Sequence, residues 1–132
     1  MRITPDTNLL VRALARDDPA QTGLAQHALQ QADLVVLTLP TLCELAWVLT
    51  SAYRYAKPDV HRAMQLVVDG DNVLVDEAAV DAGLAALAAG GDFADAVIAH
   101  DGAARGSETF LSFDRAAVRL LAAQGRRAQL LG

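Results

Sequence analysis

The sequence contains little cysteine, lysine, glycine or proline, and each shortage excludes a class of protein. The single cysteine, Cys43, cannot form an internal disulfide, and its apolar helical surroundings predict an inert buried thiol. Lys57 is the only lysine among eleven basic residues, which makes enzymes that depend on a positioned lysine hard to build. With nine glycines, four prolines and 53% hydrophobic residues, the chain is neither disordered nor of low complexity.

Long apolar runs are also missing. No stretch approaches the ~18 uninterrupted apolar residues that a membrane span needs, and the start lacks the apolar segment of a secretory signal. We therefore expect a soluble, cytoplasmic protein with no membrane partner. The glycine-rich loops of P-loop and Rossmann proteins are absent as well. A net charge of −5 argues against a general nucleic-acid coating protein, but it does not exclude a nuclease.

Short β-type runs alternate with longer helical patterns along the chain. This alternation predicts βαβ units around a parallel sheet, in one domain over residues 1–132. The predicted strands cover residues 2–5, 34–38, 72–75, 109–111 and 129–131. The predicted helices cover residues 7–16, 19–31, 40–55, 58–68, 77–89, 93–104 and 115–123.

Acidic side chains stand at the junctions that precede or begin four of these helices. In a parallel α/β sheet the carboxyl ends of the strands and the starts of the following helices share one edge. We therefore expect these acids to be neighbours although they are distant in sequence. They are Asp6, Glu44, Asp92, Asp95 and Asp114.

Helix capping is the structural alternative for these acids. Asp6, Asp92 and Asp114 each stand where an aspartate caps a helix, and Thr41 with Glu44 matches the spacing of a capping box. Capping explains Glu44 less well, because it is the only charged residue in an apolar stretch that we expect to be largely buried. A buried carboxylate is unfavourable unless it is paired, and carboxylates buried together need a compensating cation.

A hard divalent cation fits this need. Mg²⁺ takes oxygen ligands and commonly binds one or two carboxylates together with phosphate oxygens. The set contains no histidine or cysteine of the kind that zinc prefers. The chemistry that the acids indicate is metal-assisted displacement at phosphorus.

The motifs together resemble the PIN-domain ribonucleases, and within them the small VapC-type toxins of bacterial toxin–antitoxin pairs. The likeness covers nearly the whole chain in length, order of elements and motifs. The motifs are Asp6-Thr7-Asn8 followed by Leu9-Leu10-Val11-Arg12, Glu44 after Leu39-Pro40-Thr41, the run from Asp92 to Ala99, and Leu111-Ser112-Phe113-Asp114-Arg115.

The resemblance implies a three-layer α/β/α fold with a central, mainly parallel sheet of four to five strands. It implies that Asp6, Glu44, Asp95 and Asp114 are the catalytic acids that hold one or two Mg²⁺ or Mn²⁺ ions. Asp92 is either a further ligand or only a cap. The small polar residues that would orient ligands or a metal-bound water are Thr7, Asn8 and Ser112. Which carboxylate would act as base stays open.

The implied activity is endonucleolytic cleavage of structured RNA such as tRNA or rRNA. The implied partners are a VapB-like antitoxin and a second copy of the chain, in an assembly that can bind operator DNA through the antitoxin. Trp47, Tyr53 and Tyr55 offer apolar surface beyond what the sheet should cover, so we assign them either to an antitoxin interface or to packing. Arginines that flank the junctions are candidates for phosphate binding, namely Arg12, Arg16, Arg54, Arg105 and Arg115.

Three rival functions fit the sequence less well. A phosphoacceptor receiver domain needs a lysine after a late strand, and none exists. A haloacid-dehalogenase-type phosphatase needs a second aspartate where Asn8 stands. The stronger rival is a non-catalytic PIN-like module that binds RNA or an antitoxin, and the complete set of four acids argues against it.

Overall fold

The computed structural model describes residues 1–132, which contain five strands and seven helices. Every strand pairing is parallel, so the predicted α/β class is confirmed. The elements in chain order are β1 (Arg2–Ile3), α1 (Thr7–Ala15), α2 (Pro19–Gln31), β2 (Leu34–Val36), α3 (Leu39–Ser51), α4 (Lys57–Val68), β3 (Val73–Leu74), α5 (Glu77–Ala88), α6 (Phe93–Ala104), β4 (Phe110–Ser112), α7 (Arg115–Ala123) and β5 (Ala128–Leu130).

The chain divides into two compact units, Met1–Asp76 and Glu77–Gly132. Hydrogen bonds join β1, β2 and β3 into a three-stranded sheet in the first unit, with β2 in the centre, and join β4 to β5 in the second. All five expected strands form, but they make two short parallel sheets of three and two strands, where the resemblance implied a single central sheet.

The first unit is held by an aliphatic core. Leu10 of α1, three leucines of α3 and Met64 of α4 are fully buried, and so is Val35 on the central strand. In α3 the buried leucines recur at helical spacing, namely Leu42, Leu45 and Leu49. This stripe turns the opposite side of α3 towards solvent. Cys43, expected to be buried, is only partly so, because it lies beside the stripe and not on it.

The second unit has a core of small residues around two larger ones. Phe93 at the start of α6 and Leu121 of α7 are fully buried, and alanines of α5 and α6 allow the helices to approach closely. A Cβ atom on Gly83 of α5 would overlap the ring of Phe93. The absence of a side chain at Gly83 therefore lets Phe93 hold the beginning of α6 against α5.

Helix α3 ends earlier than expected. The apolar periodicity predicts a helix to residue 55, but α3 ends at Ser51. Arg54 adopts a left-handed conformation with φ of 57°. The backbone N–H groups of Tyr53 and Tyr55 donate to the carbonyls of Val48 and Leu49, which closes the helix end. Tyr53 and Tyr55 therefore lie in a turn and not on the helix.

No helix of the structure is long and apolar enough to cross a membrane.

Candidate active site

Asp6 occupies the turn between β1 and α1. Its extended backbone makes it the N-cap of α1, and its Oδ1 accepts a hydrogen bond from the Leu9 N–H at 2.9 Å. The predicted cap is confirmed. Thr7 is buried and Asn8 is exposed, so of the two polar neighbours of Asp6 only Asn8 is open to solvent.

Glu44 lies in the second turn of α3 and is exposed. The prediction that it is a buried carboxylate is wrong, because Glu44 projects from the side of α3 opposite the leucine stripe. The predicted capping box is wrong too, since Thr38 is the N-cap and Thr41 is already inside the helix. Thr38 and Thr41 instead join their hydroxyls in a hydrogen bond of 3.0 Å. Glu44 is therefore an accessible carboxylate that no cap employs.

Asp92 and Asp95 stand on the first turn of α6. Asp92 is the N-cap, and its Oδ2 accepts a hydrogen bond from the Asp95 N–H at 3.3 Å. Phe93 between them is fully buried, which fixes the direction in which the helix starts. Asp95 is partly buried and complements the positive end of the helix. The capping role of Asp92 is confirmed, and whether it also binds a metal stays a prediction.

Asp114 connects β4 to α7. Its Oδ1 accepts hydrogen bonds from the N–H groups of Ala116 at 2.9 Å and Ala117 at 3.1 Å, as the predicted cap requires. The Asp114 N–H in turn donates to Ser112 Oγ at 2.9 Å. Ser112 therefore orients the backbone from which the Asp114 carboxylate projects.

Each unit supplies part of the predicted acid set. In the first, β1 and β2 are parallel neighbours, so α1 and α3 both begin at the carboxyl edge of the sheet and pack against each other. Asp6 and Glu44 lie at this edge. The second unit supplies Asp92, Asp95 and Asp114, at the starts of α6 and α7. Within neither unit do three or more Asp, Glu, His or Cys side chains form a group that could hold a metal ion.

The donor chemistry of these acids fits a hard divalent cation. All of them offer carboxylate oxygens, and the caps of Asp6 and Asp114 each use only Oδ1. A carboxylate has two oxygens and about four lone-pair positions, so an acid that caps a helix can still bind a cation. Capping and metal binding are therefore compatible roles for the same side chain. The assignment of Asp6, Glu44, Asp95 and Asp114 as metal ligands stays a prediction.

A cavity of about 360 Å³ opens beside Asp6. Asn8 and Arg12 of α1 and Gln21 of α2 line it. Arg12 donates to Asp17 Oδ1 at 3.1 Å, although its Nε is buried without a hydrogen-bond partner. Arg12 thus stands about 1.7 helical turns after the Asp6 cap, and its guanidinium is held by Asp17.

Asp17 and Tyr53 form a contact that the sequence motifs did not predict. The Tyr53 hydroxyl donates to Asp17 Oδ2 at 2.8 Å. This bond, reinforced by Arg12, holds the pKa of Asp17 below its usual value of 3.8, and the same carboxylate raises the pKa of Tyr53 above 10.0. The left-handed Arg16 ends α1 and turns the chain so that Asp17 meets both partners.

The aromatic residues proposed for an interface differ in their exposure. Trp47 of α3 is 63% exposed, on the same side of the helix as Glu44. Tyr53 and Tyr55 are partly buried and meet edge to face, with ring centroids 6.2 Å apart. Trp47 is therefore the most accessible of the three aromatic side chains.

Comparison with known proteins identifies one family. Residues 3–121 match the family model of the PIN domain, which includes all five acids and residues of both compact units. No curated protein matches the chain significantly. The parallel strand pairing agrees with the three-layer α/β/α fold of this family.

Proposed function

Because the chain belongs to the PIN-domain family, whose members are in general metal-dependent nucleases, we propose that it is an endoribonuclease toxin of a type II toxin–antitoxin pair. One observation carries the proposal. The family match extends over nearly the whole chain, and the four acids of its motifs stand on or directly before α1, α3, α6 and α7.

In this proposal Asp6, Glu44, Asp95 and Asp114 hold one or two Mg²⁺ or Mn²⁺ ions. Such ions, when bound, would supply polarisation of the scissile phosphate, activation of a water and stabilisation of the leaving oxygen. The protein positions the carboxylates through the caps of Asp6 and Asp114, while the hydrogen bond from the Asp114 N–H to Ser112 steadies the last of them. Structured RNA, such as tRNA or rRNA, is the proposed substrate, with 5′-phosphate and 3′-hydroxyl product ends.

The proposed partners are a VapB-like antitoxin and a second copy of the chain. The exposed Trp47 supports this part of the proposal, because a large aromatic side chain outside any core is typical of a protein interface. It stands three residues from Glu44 on α3, so an antitoxin segment that covers Trp47 would also reach the acid.

The decisive experiment measures cleavage of total RNA by the purified chain, freed of any partner, with Mg²⁺ or Mn²⁺. Asp6→Asn and Asp95→Asn should each lower the rate by more than about 100-fold, since even the outer partners of metal ligands are worth 10–100-fold. Asp81→Asn, an exposed acid of α5 outside the motifs, is the matched control and should retain full activity.

Cleavage that persists in EDTA, or that survives Asp6→Asn and Asp95→Asn alike, would refute the assigned site. The rival interpretation, a non-catalytic module that binds RNA or an antitoxin, predicts no metal-dependent cleavage by the wild type under any condition.

A further inference from the structure

The basic residues of this acidic protein are unevenly distributed. Residues 102–132 contain five arginines and two acidic residues, whereas the preceding 101 residues contain six basic and fourteen acidic ones. Four of the five arginines lie on α7 or in the turn that follows it. They are Arg115, Arg119, Arg126 and Arg127.

None of these four arginines makes an ion pair. Arg12, Arg62 and Arg105 all bind acidic neighbours, but the arginines of α7 and its turn have no carboxylate partner. Arg126 is the most constrained, because its guanidinium contacts the His100 ring at 3.2 Å. The positive charge of this surface is therefore not neutralised within the protein.

The positions of Arg115 and Arg119 do not stabilise α7. Arg115 is the first residue of α7, where a positive charge opposes the helix dipole. Arg119 lies one turn further on, where two like charges repel each other. The remaining exposed positions of this face are alanines, so the helix backbone is open to a close approach by a large ligand. These features indicate a binding role.

A cavity after the carboxyl end of α7 continues the basic surface. A cavity of about 240 Å³ lies at the turns before β4 and before β5. Arg126 and Arg127 line it with the hydroxyl-bearing Ser107 and Thr109, and Glu108 is its one acidic residue. Guanidinium and hydroxyl groups together are typical ligands of phosphate oxygens.

We propose that α7 and the following turn form a binding surface for the phosphate backbone of RNA. The surface begins beside Asp114, the N-cap of α7, and follows the helix for about 13 Å to the cavity, at 1.5 Å per residue. A strand whose scissile phosphate lies at Asp114 would thus extend along Arg115 and Arg119 towards Arg126 and Arg127. The inference rests on the proposed nuclease function, which makes RNA the polyanion that the protein must hold.

The test compares two double variants with the same change in charge. Arg119→Gln/Arg127→Gln removes two arginines of the surface, and Arg2→Gln/Arg62→Gln removes two exposed arginines of the first unit. Binding of a short fluorescein-labelled single-stranded RNA is followed by anisotropy in EDTA, so that no metal-dependent cleavage occurs. Each measurement is repeated over a series of salt concentrations.

Each lost phosphate contact should lower the salt slope of log K by about 0.7, so the surface variant should lose about 1.4 and bind about 25-fold more weakly at about 0.1 M salt. The control variant should keep the wild-type slope. An unchanged slope for Arg119→Gln/Arg127→Gln, or an equal loss for Arg2→Gln/Arg62→Gln, would overturn the proposal. Equal displacement of the RNA by poly-glutamate at matched charge would also overturn it, because the surface would then recognise an acidic protein.

The outcomes separate the two proposals. If the wild type binds RNA through these arginines but cleaves none with any metal, the nuclease function fails and the surface stands. If it cleaves RNA while Arg119→Gln/Arg127→Gln binds RNA like the wild type, the surface fails alone.

Discussion

The Tyr53 hydroxyl donates to Asp17 Oδ2 across 2.8 Å and thereby joins the turn after α3 to the turn after α1. These two helices bring Glu44 and Asp6 to the same edge of the sheet. The contact therefore fastens the far ends of the two helices that present the acids of the first unit. Its contribution to stability can be measured by removing one oxygen atom.

Tyr53→Phe should lower the melting temperature by a few degrees, because Asp17 loses a hydrogen bond that Arg12 alone does not replace. Tyr55→Phe is the matched control, since the Tyr55 hydroxyl makes no hydrogen bond, and it should melt like the wild type. A Tyr53→Phe protein as stable as Tyr55→Phe would show that the bond contributes nothing.

The same pair predicts a pH window. Asp17 has a lowered folded pKa, so its contribution is complete above the usual value of 3.8 and is lost as the pH falls through the lower folded pKa. Tyr53 has a raised folded pKa, so its contribution is complete below 10.0 and is lost as the pH rises through the higher folded pKa. The stability difference between wild type and Tyr53→Phe should be constant between these limits and shrink outside them.

Asp114 allows capping to be separated from catalysis. Asparagine caps a helix about as well as aspartate, whereas alanine costs roughly 1 kcal/mol. Asp114→Asn should therefore unfold in urea like the wild type, and Asp114→Ala should lose roughly 1 kcal/mol. Both should lose RNA cleavage if the carboxylate binds metal. An active Asp114→Asn protein would mean that Asp114 serves only as a cap.

The sequence predicted most of the fold because its helix starts carry local signals. Pro19, Asp92 and Asp114 mark three helices whose bounds agree with the structure, since proline at the first turn and aspartate at the cap act within a few residues. The end of α3 was less predictable. It depends on the left-handed Arg54, and the apolar pattern continues past it without a glycine to indicate the turn.

The site was predictable where it depends on caps and not where it depends on packing. The apolar neighbours of Glu44 suggested burial, although the spacing of Leu42, Leu45 and Leu49 already places Glu44 on the other side of the helix. The bond between Asp17 and Tyr53 spans 36 residues of sequence. No local pattern reports such a contact, because only the packing of α1 with α3 brings the two side chains together.

Mn²⁺ should raise the melting temperature of the wild type. A ligand that binds only the folded state stabilises it by about 2.7 kcal/mol at a concentration 100 times its Kd, and relief of repulsion between carboxylates acts in the same direction. Asp6→Asn should lose most of this shift, while Asp81→Asn should retain it. No shift in the wild type at saturating Mn²⁺ would contradict a site formed by the folded acids.

Gly83 should be the least replaceable glycine in a helix of this chain. Gly83→Ala places a methyl group in the ring of the buried Phe93 and should cost roughly 1–3 kcal/mol as an overpacked core. Gly23 of α2 is the control, because a Cβ there meets nothing and Gly23→Ala should gain roughly 0.5–1 kcal/mol. Chemical denaturation measures both, and equal effects would contradict the tight approach of α5 to Phe93.

Trp47 should report the binding of the proposed antitoxin, and the product of any short reading frame found next to the gene is the natural probe. It is the only tryptophan of the chain, so its emission comes from a single site, and its 63% exposure leaves room for a large change. Binding should shift the emission to shorter wavelength as the indole loses water.

Trp47→Ala should weaken the complex by about 2 kcal/mol, the cost expected for a buried aromatic anchor. Ile98→Ala, an exposed apolar residue of α6, is the control. If the complex forms with unchanged emission and tolerates Trp47→Ala as well as Ile98→Ala, Trp47 lies outside the interface, and its exposure needs another partner.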